Sequence, residues 1–223
     1  LPDSGPIPTK PNPSPLPGYA AHLRSTPFGW PVLPGWCVWV EPADDNPAPQ
    51  AWELPWIRRW QEAVAGALSS WTAELPIRLV DDPNAAQVRV WRRNPPLAIE
   101  ASGRSRASHG RSLLRLLAVE RHRGDWRLEP SIDVLIGPGQ RAAALQATAL
   151  HELGHAFGLW GHSDDQRDAM AGAPGAVPVL QLTPRDRATL RWLRGQPNRF
   201  GEPPPEAGVG PQSPGDTHSS SAP

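Results

Sequence analysis

The sequence predicts a mixed α/β (α+β) domain in which long helices pack on a twisted sheet, and three observations carry that prediction. Short apolar runs with strand character recur at residues 36–41, 77–80, 87–91 and 132–136. Between the first two, Trp56, Ile57, Trp60, Val64, Leu68, Trp71 and Leu75 follow at helical spacing. Strand, helix, strand in that order implies a right-handed crossover and parallel pairing. An Ala-rich, helix-forming run then starts at Arg141, and a second helix signal follows Thr183.

A chain of 223 residues is expected to form one domain with a real core. Lys plus Arg and Asp plus Glu both number 22, so the formal charge is zero and nothing suggests a charge-driven nucleic-acid or membrane-surface binder. No apolar run approaches the ~20 residues of a membrane span. Prolines are concentrated toward the ends, whereas the eleven tryptophans lie between residues 30 and 192, which places the core in the middle. The expected division is a Pro-rich leader or short pro-segment over 1–34, a folded domain over 35–199, and a disordered Pro/Gly/Ser-rich tail over 200–223. The chain begins at Leu1, and the expectation is an exported, extracytoplasmic monomer from which an upstream segment has been removed.

In order along the chain, prolines from Pro2 to Pro17, then Pro27, Pro31 and Pro34, favour extended or polyproline-like backbone. Residues 36–41 form the first strand, with Trp36, Val38 and Val40 on one face and Cys37, the single cysteine, buried within it. After a turn-rich loop, Pro55 stands at the start of a long amphipathic helix that runs toward Pro76, its tryptophan stripe serving as core. Strands follow at 77–80 and 87–91, the second with Val88 and Val90 alternating against Arg89. The turn between them holds Asp81, Asp82 and Pro83; its carboxylates are ordinary solvated turn acids, with calcium ligation as the alternative.

Residues 94–129 are the least legible. By pattern 113–119 suits a strand or a helix, and the arginines from Arg104 to Arg127 form a solvated face. His109, His122 and Asp125 lack metal-ligand spacing and are expected at the surface. The strand at 132–136 closes on Gly137-Pro138-Gly139. In the helix from Arg141, Leu150, Leu153 and Phe157 face the core while His151 and His155 face away. Thr183 caps the last helix, with Pro184 at its first position, Asp186 three residues after the cap, and Leu190 and Leu193 directed inward.

The chemistry concentrates between His151 and Met170. His151 and His155, four residues apart, sit one above the other on a helix and offer two imidazoles to one ion. Gly158 can take the left-handed backbone that ends a helix, so the chain turns back and His162 becomes the third ligand. Three neutral imidazoles leave one tetrahedral position of Zn²⁺ for water, the arrangement of a catalytic site. Glu152, next to the first ligand, is the general base. By average residue usage, this string with its glycine and third histidine arises by chance on the order of 10⁻⁵ times per chain.

The run His151-Glu152-Leu153-Gly154-His155-Ala156-Phe157-Gly158-Leu159-Trp160-Gly161-His162-Ser163, followed by Met170, resembles the signature of the metzincin zinc metalloproteases and, among these, the matrixins. The resemblance covers roughly residues 36–199 and is nearest to small bacterial, cyanobacterial-type matrixin-like peptidases. It implies a five-stranded mixed sheet with two long helices, an active-site cleft, and a small C-terminal part with the last helix. It also implies catalytic Zn²⁺ on His151, His155 and His162, Glu152 as base and acid, and Met170, the only methionine, in a Met-turn beneath the imidazoles. A strand between 101 and 121 would be the antiparallel edge that pairs with an extended peptide substrate, and the 172–178 loop would wall a specificity pocket. Ala171 and Gly172 replace the usual tyrosine and proline, and the pattern for a second, structural Zn²⁺ is missing between 103 and 150, so neither that ion nor a structural Ca²⁺ is implied.

The expected activity is zinc-dependent endoproteolysis. Alternatives are a latent or non-enzymatic zinc module whose cleft the leader blocks, with Asp3 or Cys37 as a further ligand, and a different peptidase reaction such as exopeptidase action.

Overall fold

The computed structural model describes residues 16–43, 50–99, 105–106 and 108–205. Asp3, most of the leader prolines and the tail beyond 205 lie outside the described residues. The chain forms a mixed α/β body with a five-stranded sheet in the order β2-β1-β3-β7-β6. These are β1 (Trp36–Val40), β2 (Ile77–Leu79), β3 (Val88–Trp91), β6 (Gly110–His122) and β7 (Asp125–Ile136). A separate two-stranded pair joins β4 (Ala98–Ile99) and β5 (Ser105–Arg106). The helices are α1 (Leu54–Thr72), α2 (Ala142–Ala156) and α3 (Pro184–Arg194).

β1 pairs in parallel with both β2 and β3, and β3 with β7; the α1 crossover accounts for the β1–β2 pairing. Only β6 runs antiparallel, against β7, and it forms an edge of the sheet. Here the structure extends the sequence reading. The strand expected at 132–136 is the last part of β7, and the ambiguous 113–119 stretch is the middle of β6, joined to it through Gly124 at φ +80°.

Inside, α1 lays Trp60 and Trp71 fully buried against the sheet and α2. Their indole N–H groups donate to the carbonyls of Ile136 and Leu150, both at 3.1 Å, so each ring is packed and its one polar atom paired. Trp56, expected in the same stripe, stands 45% exposed with the Arg59 guanidinium over its ring. It sits in the first turn of the helix, ahead of the body that the other residues cover. Cys37 is half-buried rather than buried, because its face of β1 lies beside Arg78, whose guanidinium donates to the sulfur at 3.2 Å.

The packed body also extends past the boundaries expected from proline content. Tyr19, Leu23, Val32 and Leu33 belong to the core, although they lie before residue 35. At the other end Phe200 is buried, and Leu128 and residues 201–202 exchange backbone hydrogen bonds of 2.8 Å. Proline restricts φ but does not prevent an extended chain from burying the apolar residues between prolines. No helix among the described residues is long and apolar enough to cross a membrane.

Candidate metal centre

α2 carries Leu150 and Leu153 fully buried, which turns His151 and His155 toward the opposite side. The helix ends at Phe157 and the chain reverses at Gly158, whose φ is +109°. A Cβ there would lie 2.5 Å from Val32 Cγ1 and 3.1 Å from the Pro31 carbonyl oxygen, so glycine is required by both conformation and space. The reversal brings His162 back to the helix. The imidazole centroids of His151 and His155 are 4.8 Å apart, those of His155 and His162 5.0 Å, and those of His151 and His162 5.3 Å. One ring nitrogen from each lies within 4.8 Å of the others, close enough for all three to bind one metal ion.

The rings are held in a definite state. His151 Nδ1 donates to the Ala169 carbonyl at 2.9 Å and His155 Nδ1 to the Leu159 carbonyl at 2.8 Å. A carbonyl can only accept, so both Nδ1 atoms carry the proton and both Nε2 lone pairs are left for a metal. His162 is secured through its backbone, whose carbonyl accepts from His22 Nδ1 at 3.2 Å. Burial lowers the pKa of all three imidazoles, that of His155 to about 3, where the neighbouring His151 adds to the effect. They are neutral at physiological pH, the form in which histidine ligates.

Glu152 is only 8% exposed. Ser112 on β6 places its hydroxyl 2.8 Å from Glu152 Oε2. Burial pushes the carboxyl up to about 7, against the opposing influence of the Ser112 hydrogen bonds and the Arg111 charge.

Beneath the helix, Met170 is fully buried, and a Cβ on Gly154 would collide with its sulfur. Two buried aspartates fix the surrounding loop. Asp168 accepts from the hydroxyls of Ser163 and Thr183, both at 2.6 Å. Asp186 completes the capping box of α3, accepts from the Ala169 N–H at 3.0 Å, and accepts from the Tyr19 hydroxyl at 2.7 Å. Burial and the Asp186 charge drive the Tyr19 hydroxyl pKa upward. Because Ala169 also receives His151, the cap of the last helix orients the first imidazole.

The histidines and Glu152 line a cleft of about 940 Å³, together with His22, Arg24 and Thr26 of the N-terminal segment, Ser112 of β6 and Trp160. No residue of the 172–178 loop lines this cleft, although the loop borders the site: a Cβ on Gly172 would lie 3.3 Å from His162 Cβ. Cys37 is not among the gathered ligands, and among the described residues no second group of three metal-ligating side chains assembles. Asp82 instead caps the turn at Asn84, and Asp125 pairs with Arg127. Sequence reasoning missed Tyr19, His22, Ser112 and Asp168. Of these only Asp168 lies between the recognised run and Met170, and none stands at a spacing that marks a role.

The fold and site together define a mixed α/β protein with a three-histidine centre able to hold a metal ion. Compared with known proteins, the sequence matches no protein-family model and no curated protein.

Proposed function

We propose that the protein is a zinc-dependent endopeptidase of the metzincin clan, matrixin-like in type. The observation that carries this reading is the convergence of His151, His155 and His162, two with Nδ1 already committed to carbonyls, beside a buried carboxyl on the same helix. An all-imidazole, thiol-free set of three ligands suits Zn²⁺ with one open position. When bound there, Zn²⁺ acts as a Lewis acid that lowers the pKa of water toward ~7 and polarises a peptide carbonyl.

The chain's own residues supply the rest. Glu152 takes a proton as water attacks the scissile carbonyl and returns it to the leaving amine. β6, at the sheet edge beside the cleft, offers backbone groups to an extended peptide. Met170 supports the helix from below and ligates nothing.

The test is Glu152→Ala. The variant is expected to keep one zinc per chain and to lose casein cleavage; retained turnover would overturn the role of Glu152, and a wild-type chain that binds no metal would overturn the whole reading.

A further inference from the structure

The proposed mechanism needs a carboxylate that is held still, and the structure shows what holds it. Glu152 is almost fully buried, and among the described residues the Ser112 hydroxyl is the side-chain group that hydrogen-bonds its carboxylate. The same hydroxyl lies 2.9 Å from the Glu152 backbone carbonyl, so it spans the base of the residue and its tip. Two residues earlier on the same face of β6, a Cβ on Gly110 would lie 2.6 Å from Glu152 Cγ and 2.6 Å from Thr148 Cγ2. The strand therefore lies flush on α2 at this one carboxylate. Gly110 leaves just enough room for the side chain and Ser112, on the same face of the strand, ties it, while Thr148 is itself fixed by donating to Gln140 at 2.8 Å.

We propose that Ser112 is the positioning residue of Glu152, setting the carboxylate against the metal centre from the edge strand. This rests on reading Glu152 as the proton carrier. Ser112 touches neither the three imidazoles nor the peptide in this assignment; it acts through Glu152. The arrangement places two requirements of peptide hydrolysis on one element. β6 is the strand available to seat the substrate backbone, and through Ser112 it also fixes the group that handles the proton.

The experiment compares Ser112→Ala and Ser112→Thr with the wild-type chain. With Zn²⁺ bound, Ser112→Ala is expected to lower kcat about tenfold or more, the scale of a lost hydrogen bond to a charged group. KM and zinc stoichiometry should stay unchanged, and Ser112→Thr, which keeps the hydroxyl, should recover most of the loss. A second readout needs neither zinc nor activity. In the metal-free protein at pH 8, Ser112→Ala should shift the unfolding equilibrium constant about tenfold in the wild-type background, and much less in a Glu152→Ala background. Should Ser112→Ala fail to fold, Ser112→Cys keeps the shape and loses the strong donor, and takes its place in both measurements. Equal shifts in the two backgrounds, or an unchanged kcat, would overturn the proposal. If the wild-type chain cleaves no peptide, the endopeptidase reading fails while the double-mutant comparison still decides whether Ser112 holds Glu152.

Discussion

Glu152 and Glu129 both expose little surface, 8% and 6%, with Glu152 the more deeply enclosed of the two, and they have opposite electrostatic fates. Burial raises the pKa of both. At Glu129, on the other side of the sheet, the Arg121 guanidinium and the Gln87 amide outweigh it and hold the carboxyl below the usual range. Asp133, paired with Arg89 and Arg115, behaves in the same way. Glu152 meets one hydroxyl in place of an arginine, and its carboxyl rises to about 7. Burial thus sets the size of the electrostatic stake, and the partner decides whether the group is a structural anion or one able to exchange a proton near neutrality.

The comparison is broken most severely at its functional end. Glu152→Ala should lower peptide hydrolysis by about 10²–10⁴-fold, the usual worth of a positioned acid–base group, with no loss of bound zinc; steady-state kinetics and metal analysis measure both. At the structural end, Arg121→Ala leaves the Glu129 charge inside without its cation. The cost should be about 2–3 kcal/mol of stability in urea titrations, below the figure for a fully enclosed pair because Arg121 is 30% exposed, with little effect on turnover.

pH separates the two carboxyls further. A raised folded pKa means that the Glu152 contribution is complete below its unfolded value of ~4.3 and is lost as pH rises through about 7. The three histidines have lowered folded pKa values, so their contribution is present above ~6.5 and is lost as pH falls. Between these limits the two effects oppose each other. Glu152→Gln should therefore make the metal-free protein gain stability more steeply from pH 5 to 7 than the wild-type chain, measured by denaturant midpoints.

Metal removal sharpens the same contrast. Chelation should abolish hydrolysis and lower stability, and restoring zinc at one hundred times its Kd should return about 2.7 kcal/mol. Smallest of all should be the effect of deleting residues 1–15 on thermal stability, whereas deleting 1–34 removes Tyr19, Leu23, Val32 and Leu33 from the core and should prevent folding. Any gain in casein cleavage on deleting 1–15 would show latency imposed by that segment.

Local signals were legible in the sequence where a residue's role depends on near neighbours. His151 and His155 at helical spacing, Gly158 at the reversal, and Thr183 with Asp186 at the α3 cap all appear where the local chemistry places them. β6 was ambiguous because leucines occur on both of its faces: Leu114 and Leu116 pack on the core while Leu113 and Leu117 stay exposed, so the alternation that marks a half-buried strand is blurred. β7 hid its first half behind Arg127, Glu129 and Pro130; of these, Glu129 is buried with Arg121 of the neighbouring strand as its ion-pair partner. Ser112, His22 and Tyr19 reach the site across 40, 140 and 167 residues of chain to Glu152, His162 and Asp186. No window of sequence contains both ends of such a contact. The proline-rich opening also concealed that a tyrosine within it would be anchored by an aspartate near the other end.

The connection from Asp186 through Ala169 to His151 has a temporal consequence. During synthesis the histidine emerges from the ribosome well before the aspartate that orients it, and α3 can dock only after that aspartate is free of the exit tunnel. Until then the imidazole lacks its carbonyl partner and is free to rotate. The final orientation of this imidazole therefore arrives with α3, so a chain interrupted before that helix would carry the motif without it.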